Sequence, residues 1–188
     1  MKRSHLIALV VVLALVAFWW SRRGADRLPA IDLVEMFAQL PETSRRTNVT
    51  DKATAINTGT LAIGGDEKPI LFMHPTSRVT YVVTVPYDGW FRAFLAIRPE
   101  AWEQPGDGVL FRMGVSDGRT YDELINVHVD PANNPSDKRW VEVSADLSAY
   151  AGQTVEVVLN TNSSLPGRGD DTRNDWAVWG SPQILVQR

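Results

Sequence analysis

Three histidines are the first residues to weigh in this 188-residue sequence, because acid–base and metal chemistry near neutral pH most often uses imidazole. His5 lies in an apolar leader, His74 sits between Met73 and Pro75 at a strand end, and His128 lies within a strand-like run. No HExxH, GxSxG or phosphate-loop spacing surrounds them. Paired-carboxylate catalysis needs two acids facing each other across a cleft. Glu100, Glu103 and Asp107 cluster in PEAWEQPGDG, which reads as a solvated loop. The expectation is a protein without catalysis.

The chain has no cysteine, which excludes disulfides, thiolate chemistry and Cys-ligated zinc or iron–sulfur sites. Calcium is the metal that loop carboxylates would suit, through Asp107, Asp117, Asp130 and Asp137, or through Asp170, Asp171 and Asp175. None of these has EF-hand spacing, and no cofactor is expected. Sugar binding instead asks for an exposed aromatic platform beside polar side chains. Tyr87, Trp90 and Trp102 fall in or beside loops and are candidates for such contacts. Trp176 and Trp179, three apart in one run, point to opposite faces, so one packs inside and the other meets solvent or a partner. Trp179 therefore joins the contact candidates. Arg168 and Asp170 join them from the long loop NSSLPGRGDDTR, although an Arg-Gly-Asp match of three residues arises easily by chance. Asn48 and Asn162 begin glycosylation sequons.

The elements that must position these residues begin with a leader. Residues 6–20, LIALVVVLALVAFWW, are unbroken apolar sequence, flanked by Lys2 and Arg3 before and by Arg22 and Arg23 after. No A-x-A-like cleavage site follows, so a retained span is expected over a removed signal peptide. Fifteen helical residues reach only about 22 Å of the roughly 30 Å hydrocarbon core, and snorkelling basic heads would supply the rest. Trp19 and Trp20 suit the membrane–water interface. The expected orientation is N-terminus cytoplasmic, with the body periplasmic or extracellular.

Charge separates that leader from the body. Of the 19 Lys and Arg, five lie in the first 27 residues, where Asp26 is the only one of the 22 acids; the remaining 14 and 21 leave the body at −7. The sequence shows no basic patch, which argues against nucleic acid. Leu33, Met36, Phe37 and Leu40 fall at helical spacing, so residues 29–40 are expected to form a short amphipathic helix opened by Pro29 and closed by Pro41. Residues 41–58 read as a polar loop. Beyond them the period becomes two: 60–63, 69–73, 79–85, 91–97, 109–115, 123–129, 141–147, 155–159 and 176–186 read as strands. Gly64-Gly65, Asp88-Gly89, Asp117-Gly118 and Ala151-Gly152 punctuate them. The fold class is mainly β, an antiparallel sandwich of eight or nine strands behind one transmembrane helix and one amphipathic helix. The organisation is an anchor over 1–27, a helix and loop over 28–58, and the sandwich over 59–188.

The carboxy-terminal half resembles the galactose-binding-domain-like jelly-roll family. The stretches GDGVLFRMGVSDG (106–118), DKRWVEVSADLSAYAGQTVEVVLNTN (137–162) and NDWAVWGSPQI (174–184) carry the likeness. It covers about 80 residues closely, and implies a jelly-roll sandwich whose relatives include sugar-binding, adhesion and purely structural modules. Fold alone does not choose among these. The leading expectation is an accessory subunit anchored by one span, its sandwich docked on a larger membrane protein complex of respiratory or photosynthetic type. Its partners would be integral membrane subunits and lipid. The alternative is a surface-anchored carbohydrate-binding or adhesion module.

Overall fold

The computed structural model describes residues 29–163 and 171–186. In chain order the elements are β1 (Pro29–Asp32), a short helix α1 (Leu33–Phe37), β2 (Arg45–Thr47) and a helical turn α2 (Lys52–Ala55). There follow β3 (Ile56–Ile63), β4 (Asp66–Met73), β5 (Ser77–Thr84), β6 (Gly89–Ile97), β7 (Val109–Ser116), β8 (Tyr121–Val129), β9 (Val141–Asp146), β10 (Thr154–Asn162) and β11 (Ala177–Val186). One sheet runs β3-β4-β11-β6-β9, with β1 also pairing to β11; the other runs β2-β5-β10-β7-β8. All the pairings are antiparallel. The nine alternating runs each become a strand, and the mainly-β sandwich expectation is met.

Alternation decides which side chains meet. Leu71, Met73, Phe91, Leu95 and Trp179 from the first sheet pack against Val79, Tyr81, Phe111, Met113, Val157 and Leu159 from the second. Each such side chain, fully buried, contributes about 1.5–3 kcal/mol. Trp179 sits edge-on to Phe91 (6.3 Å, 73°) in its own sheet and to Phe111 (5.4 Å, 76°) in the other, so one indole ties both layers. A smaller cluster lies on the outer side of the six-stranded sheet, where Trp140 and Trp102 cover Ile70, Ala96 and Val178 with Phe72 and Phe94. Gly180 makes room for Trp140, since a methyl at that position would come 2.8 Å from the indole Cζ3. Beyond Gly180 the register of β11 shifts, and Pro182 falls in the shifted segment, where no ladder bond is asked of it. That segment is also where β11 changes neighbours: β4 pairs with Val178–Gly180 and β1 with Gln183–Leu185.

The segment before β3 departs from expectation. Pro29 opens a strand, and the helix starts only at Leu33, because Asp32 caps it by accepting from Val34 N (2.8 Å) and Glu35 N (3.1 Å). The strip 45–47, expected as loop, pairs with β5. Runs of three and four residues carry too little alternation to announce a strand. The expected span over 6–20 and its flanks Lys2, Arg3, Trp19, Trp20, Arg22 and Arg23 lie outside the described residues, as do Arg168 and Asp170. Among the described residues no helix is long and apolar enough to cross a membrane.

Candidate functional site

A cavity of about 530 Å³ opens where β4 and β6 end and β11 begins. Its walls are Phe72, His74, Arg98, Glu100 and Trp176, completed by Val49, Thr54 and Ala55. Backbone bonds fix these positions. His74 N donates to Ala55 O (2.8 Å), which ties the strand end to α2, and Arg98 N donates to Trp176 O (2.9 Å), which sets these two lining residues on adjacent backbone. The His74 ring donates from Nδ1 to Pro75 O at 2.8 Å, a carbonyl that only accepts, so Nε2 remains for a ligand. Arg98 Nη2 lies 3.0 Å from Glu100 Oε1, and the buried Arg98 Nε has no partner among the described residues. Trp176 is half-buried, its body packed on the main core. Flat aromatic surface beside a charged fork is the chemistry that holds a polyhydroxylated ring: apolar C–H faces stack while hydroxyls meet donors and acceptors.

A second concavity lies on the outer side of the five-stranded sheet. Cross-strand pairing sets Arg46 opposite Arg78, Arg78 opposite Asn160, Asn160 opposite Arg112 and Arg112 opposite Asn126, one row across all five strands. Arg78 donates from Nε to Asn160 Oδ1 (2.7 Å). Arg112 pairs with Glu123, which also accepts from Asn126 Nδ2 (2.6 Å). Those contacts, the Asn126 bond first, hold the Glu123 carboxyl below its usual range. A register shift opposite Met113 and Gly114 brings Glu123 and Tyr121 to this outer face, and the Tyr121 ring lies against Gly114. The acidic body therefore does carry a basic strip, which the sequence reading denied. Adding charges along the chain cannot reveal arginines brought together only by strand pairing.

The residues singled out from sequence are scattered. Tyr87 is 76% exposed but sits at the opposite end from the cavity, near Gly152, and Trp90 is the second residue of β6 at that same end. Trp102 donates from Nε1 to Ile97 O (2.7 Å) and packs into the outer cluster. Trp179 is fully buried, so it touches no ligand in the folded protein; the accessible member of the pair is Trp176. Glu103 pairs with Lys138, while Asp117 accepts from Arg119 N and Thr120 N (2.8 Å each), serving its own turn. Burial and the neighbouring Asp171 push the Asp107 carboxyl up, and the His128 ring meets Asp107 O at 2.8 Å. Among the described residues no three His, Asp or Glu are grouped to hold a metal. The combination of His74, Arg98, Glu100 and Trp176 was missed, although each follows or precedes a strand at one end of the sandwich, a signal that strand order would have supplied.

No family model matches the chain. A protein of Archaeoglobus fulgidus, described as uncharacterized, is 35% identical over 133 residues, covering 67% of this chain and 33% of that one. The chain thus spans about a third of that relative's length. Among solved structures, the CBM51 module from Clostridium perfringens GH95 in complex with methyl-galactose superposes with a TM-score of 0.56 at 17% identity, over 83% of this chain and 99% of that one. The M60 catalytic domain with two CBM51 domains from Clostridium perfringens ZmpB gives 0.54 at 18%, over 80% of this chain and 15% of that one. The tandem CBM51 modules of a family 98 glycoside hydrolase from Streptococcus pneumoniae give 0.52 at 15%, over 84% and 47%. The fold is that of these β-sandwich modules, in keeping with a galactose-binding-like jelly roll.

Proposed function

We propose that the sandwich is a non-catalytic carbohydrate-binding module whose ligand, a single sugar ring or chain end, enters the cavity between Trp176 and the Arg98–Glu100 pair. The observation that carries this reading is the cavity itself, which joins aromatic surface to an incompletely bonded guanidinium and an uncommitted imidazole nitrogen. The likeness in fold to modules solved with sugars supports it. Docking of the body on an integral membrane complex draws no comparable support. Anchoring by the leader, with the sandwich outside the cytoplasm, belongs to this proposal and rests on sequence alone.

The test is a glycan array probed with the full chain, followed by calorimetry on the sugars retained. Trp176→Ala should weaken binding roughly five- to thirtyfold, as loss of a central aromatic contact costs about 1–2 kcal/mol. Glu100→Gln changes an exposed side chain and should weaken binding with the melting temperature unmoved. Retention of no sugar, or sugar binding indifferent to both substitutions, would refute the proposal.

A further inference from the structure

The arginine row on the five-stranded sheet lies away from the sugar cavity and shares no lining residue with it. It lines a groove of about 510 Å³ that continues, through Arg46, Arg78, Arg112 and Asn160, into a smaller one of about 270 Å³. Like charges placed directly opposite on neighbouring strands destabilise a sheet, so the Arg46–Arg78 pairing is unfavourable for folding. A β-surface could set Thr or Val there instead, as it does one row on at Thr80 and Val158. Neither Arg46 nor Arg78 meets a carboxylate within 4 Å among the described residues; Arg112 alone does.

The row is prepared for an anion. Asn160, 6% exposed, forms the floor and holds Arg78 by Nε, which orients the guanidinium while leaving its two Nη groups for a ligand. Neighbouring strands are about 4.8 Å apart, so the Cα atoms of Arg78 and Arg112, two strands apart in one cross-strand row, stand roughly 10 Å apart. Beside that row the Tyr121 ring, 41% exposed and laid against Gly114, offers a flat apolar face. A planar guanidinium fork matches a carboxylate bidentately, and an aromatic face matches a pyranose ring. One extended polymer that alternates or repeats those two features meets the whole row.

We infer that this groove is a second binding site, for an acidic polysaccharide whose uronate carboxylates engage Arg46, Arg78 and Arg112 while a sugar ring rests on Tyr121. The ligand class rests on the carbohydrate reading above, but the residues do not.

The experiment is affinity electrophoresis and calorimetry of the full chain with polygalacturonate, with a neutral galactan, a sulfated glycan and poly(U) as the other arms. Binding to polygalacturonate should weaken with added salt. Arg78→Gln and Arg46→Gln should each reduce it at least about tenfold, and Arg139→Gln, outside the groove, should leave it unchanged. Trp176→Ala should also leave it unchanged, which separates failure of this site from failure of the sugar cavity. Tyr121→Ala should weaken it with the charges intact. Absence of binding to polygalacturonate overturns the inference. So do stronger binding of the sulfated glycan, of poly(U) or of the neutral galactan, and indifference to the arginine substitutions.

Discussion

The ring of Tyr121 lies against Gly114 across the β7–β8 pair, so close that a methyl on Gly114 would come within 2.5 Å of Tyr121 Cζ and of Asp122 O. Gly114 is the gap in the sheet into which the aromatic plate settles, and its lack of a Cβ is what keeps the plate low. Gly114→Ala should therefore cost about 1–3 kcal/mol through overpacking and lift Tyr121 out of place. Urea midpoints measure the first effect. Gly59→Ala is the contrast: nothing lies within 4 Å of the added methyl, and the midpoint should hold or rise slightly. Equal outcomes for the two substitutions would contradict the seating of Tyr121.

Alkaline pH gives a second expectation. Tyr150 donates its hydroxyl to Asp122 Oδ2 at 2.7 Å. Burial first, then that bond and the Asp122 charge, push the phenol from 10.0 up to about 12. A folded-state value above the unfolded one means the stabilisation is complete below pH 10 and declines as pH rises towards about 12, because the unfolded chain loses the proton first. Melting temperature should fall across that window, and Tyr150→Phe should lessen the fall. Tyr81, buried and likewise pushed up, acts in the same direction, so the fall is reduced and not abolished.

The Arg112–Glu123 pair gives a third. Both side chains are partly exposed, 36% and 28%, so breaking the pair should change stability by less than about 1 kcal/mol. Glu123→Gln would leave Arg112 without its internal carboxylate and remove one negative charge beside the groove, whose own lining keeps Glu156. Affinity for polygalacturonate should rise several-fold while the urea midpoint stays nearly fixed. Reduced affinity would show that Glu123 orients Arg112 for its ligand and does not compete with it.

Much of the sandwich was legible because half-buried strands write their inner face into the sequence: Val79, Tyr81 and Val83 alternate without a break, and all are buried. Register was not legible. Arg46, Arg78 and Arg112 are separated by more than thirty residues at each step, and nothing local records that they stand in one line. Tyr121 was hidden by the shift in β8, which moves it and Glu123 off the face that an unbroken alternation with Ile125 would assign. The tryptophan pair shows the same limit. Spacing announced that Trp176 and Trp179 differ in environment, but only the position of the strand start, Ala177, decides which is enclosed. The cavity lined by His74, Arg98 and Trp176 failed to show for a related reason, since its walls come from strand ends whose grouping depends on which strands are neighbours.

One margin of β11 is closed in two instalments, by β4 as far as Gly180 and by β1 from Gln183 onward. The four residues Pro29–Asp32 thus act as a removable stopper on an otherwise open row of amides and carbonyls. Prising them away would hand that row to any stranger of extended shape, a second copy of the chain included. That strip is too short to hold by itself, and the Asp32 cap with the turn of helix that follows keeps it in place.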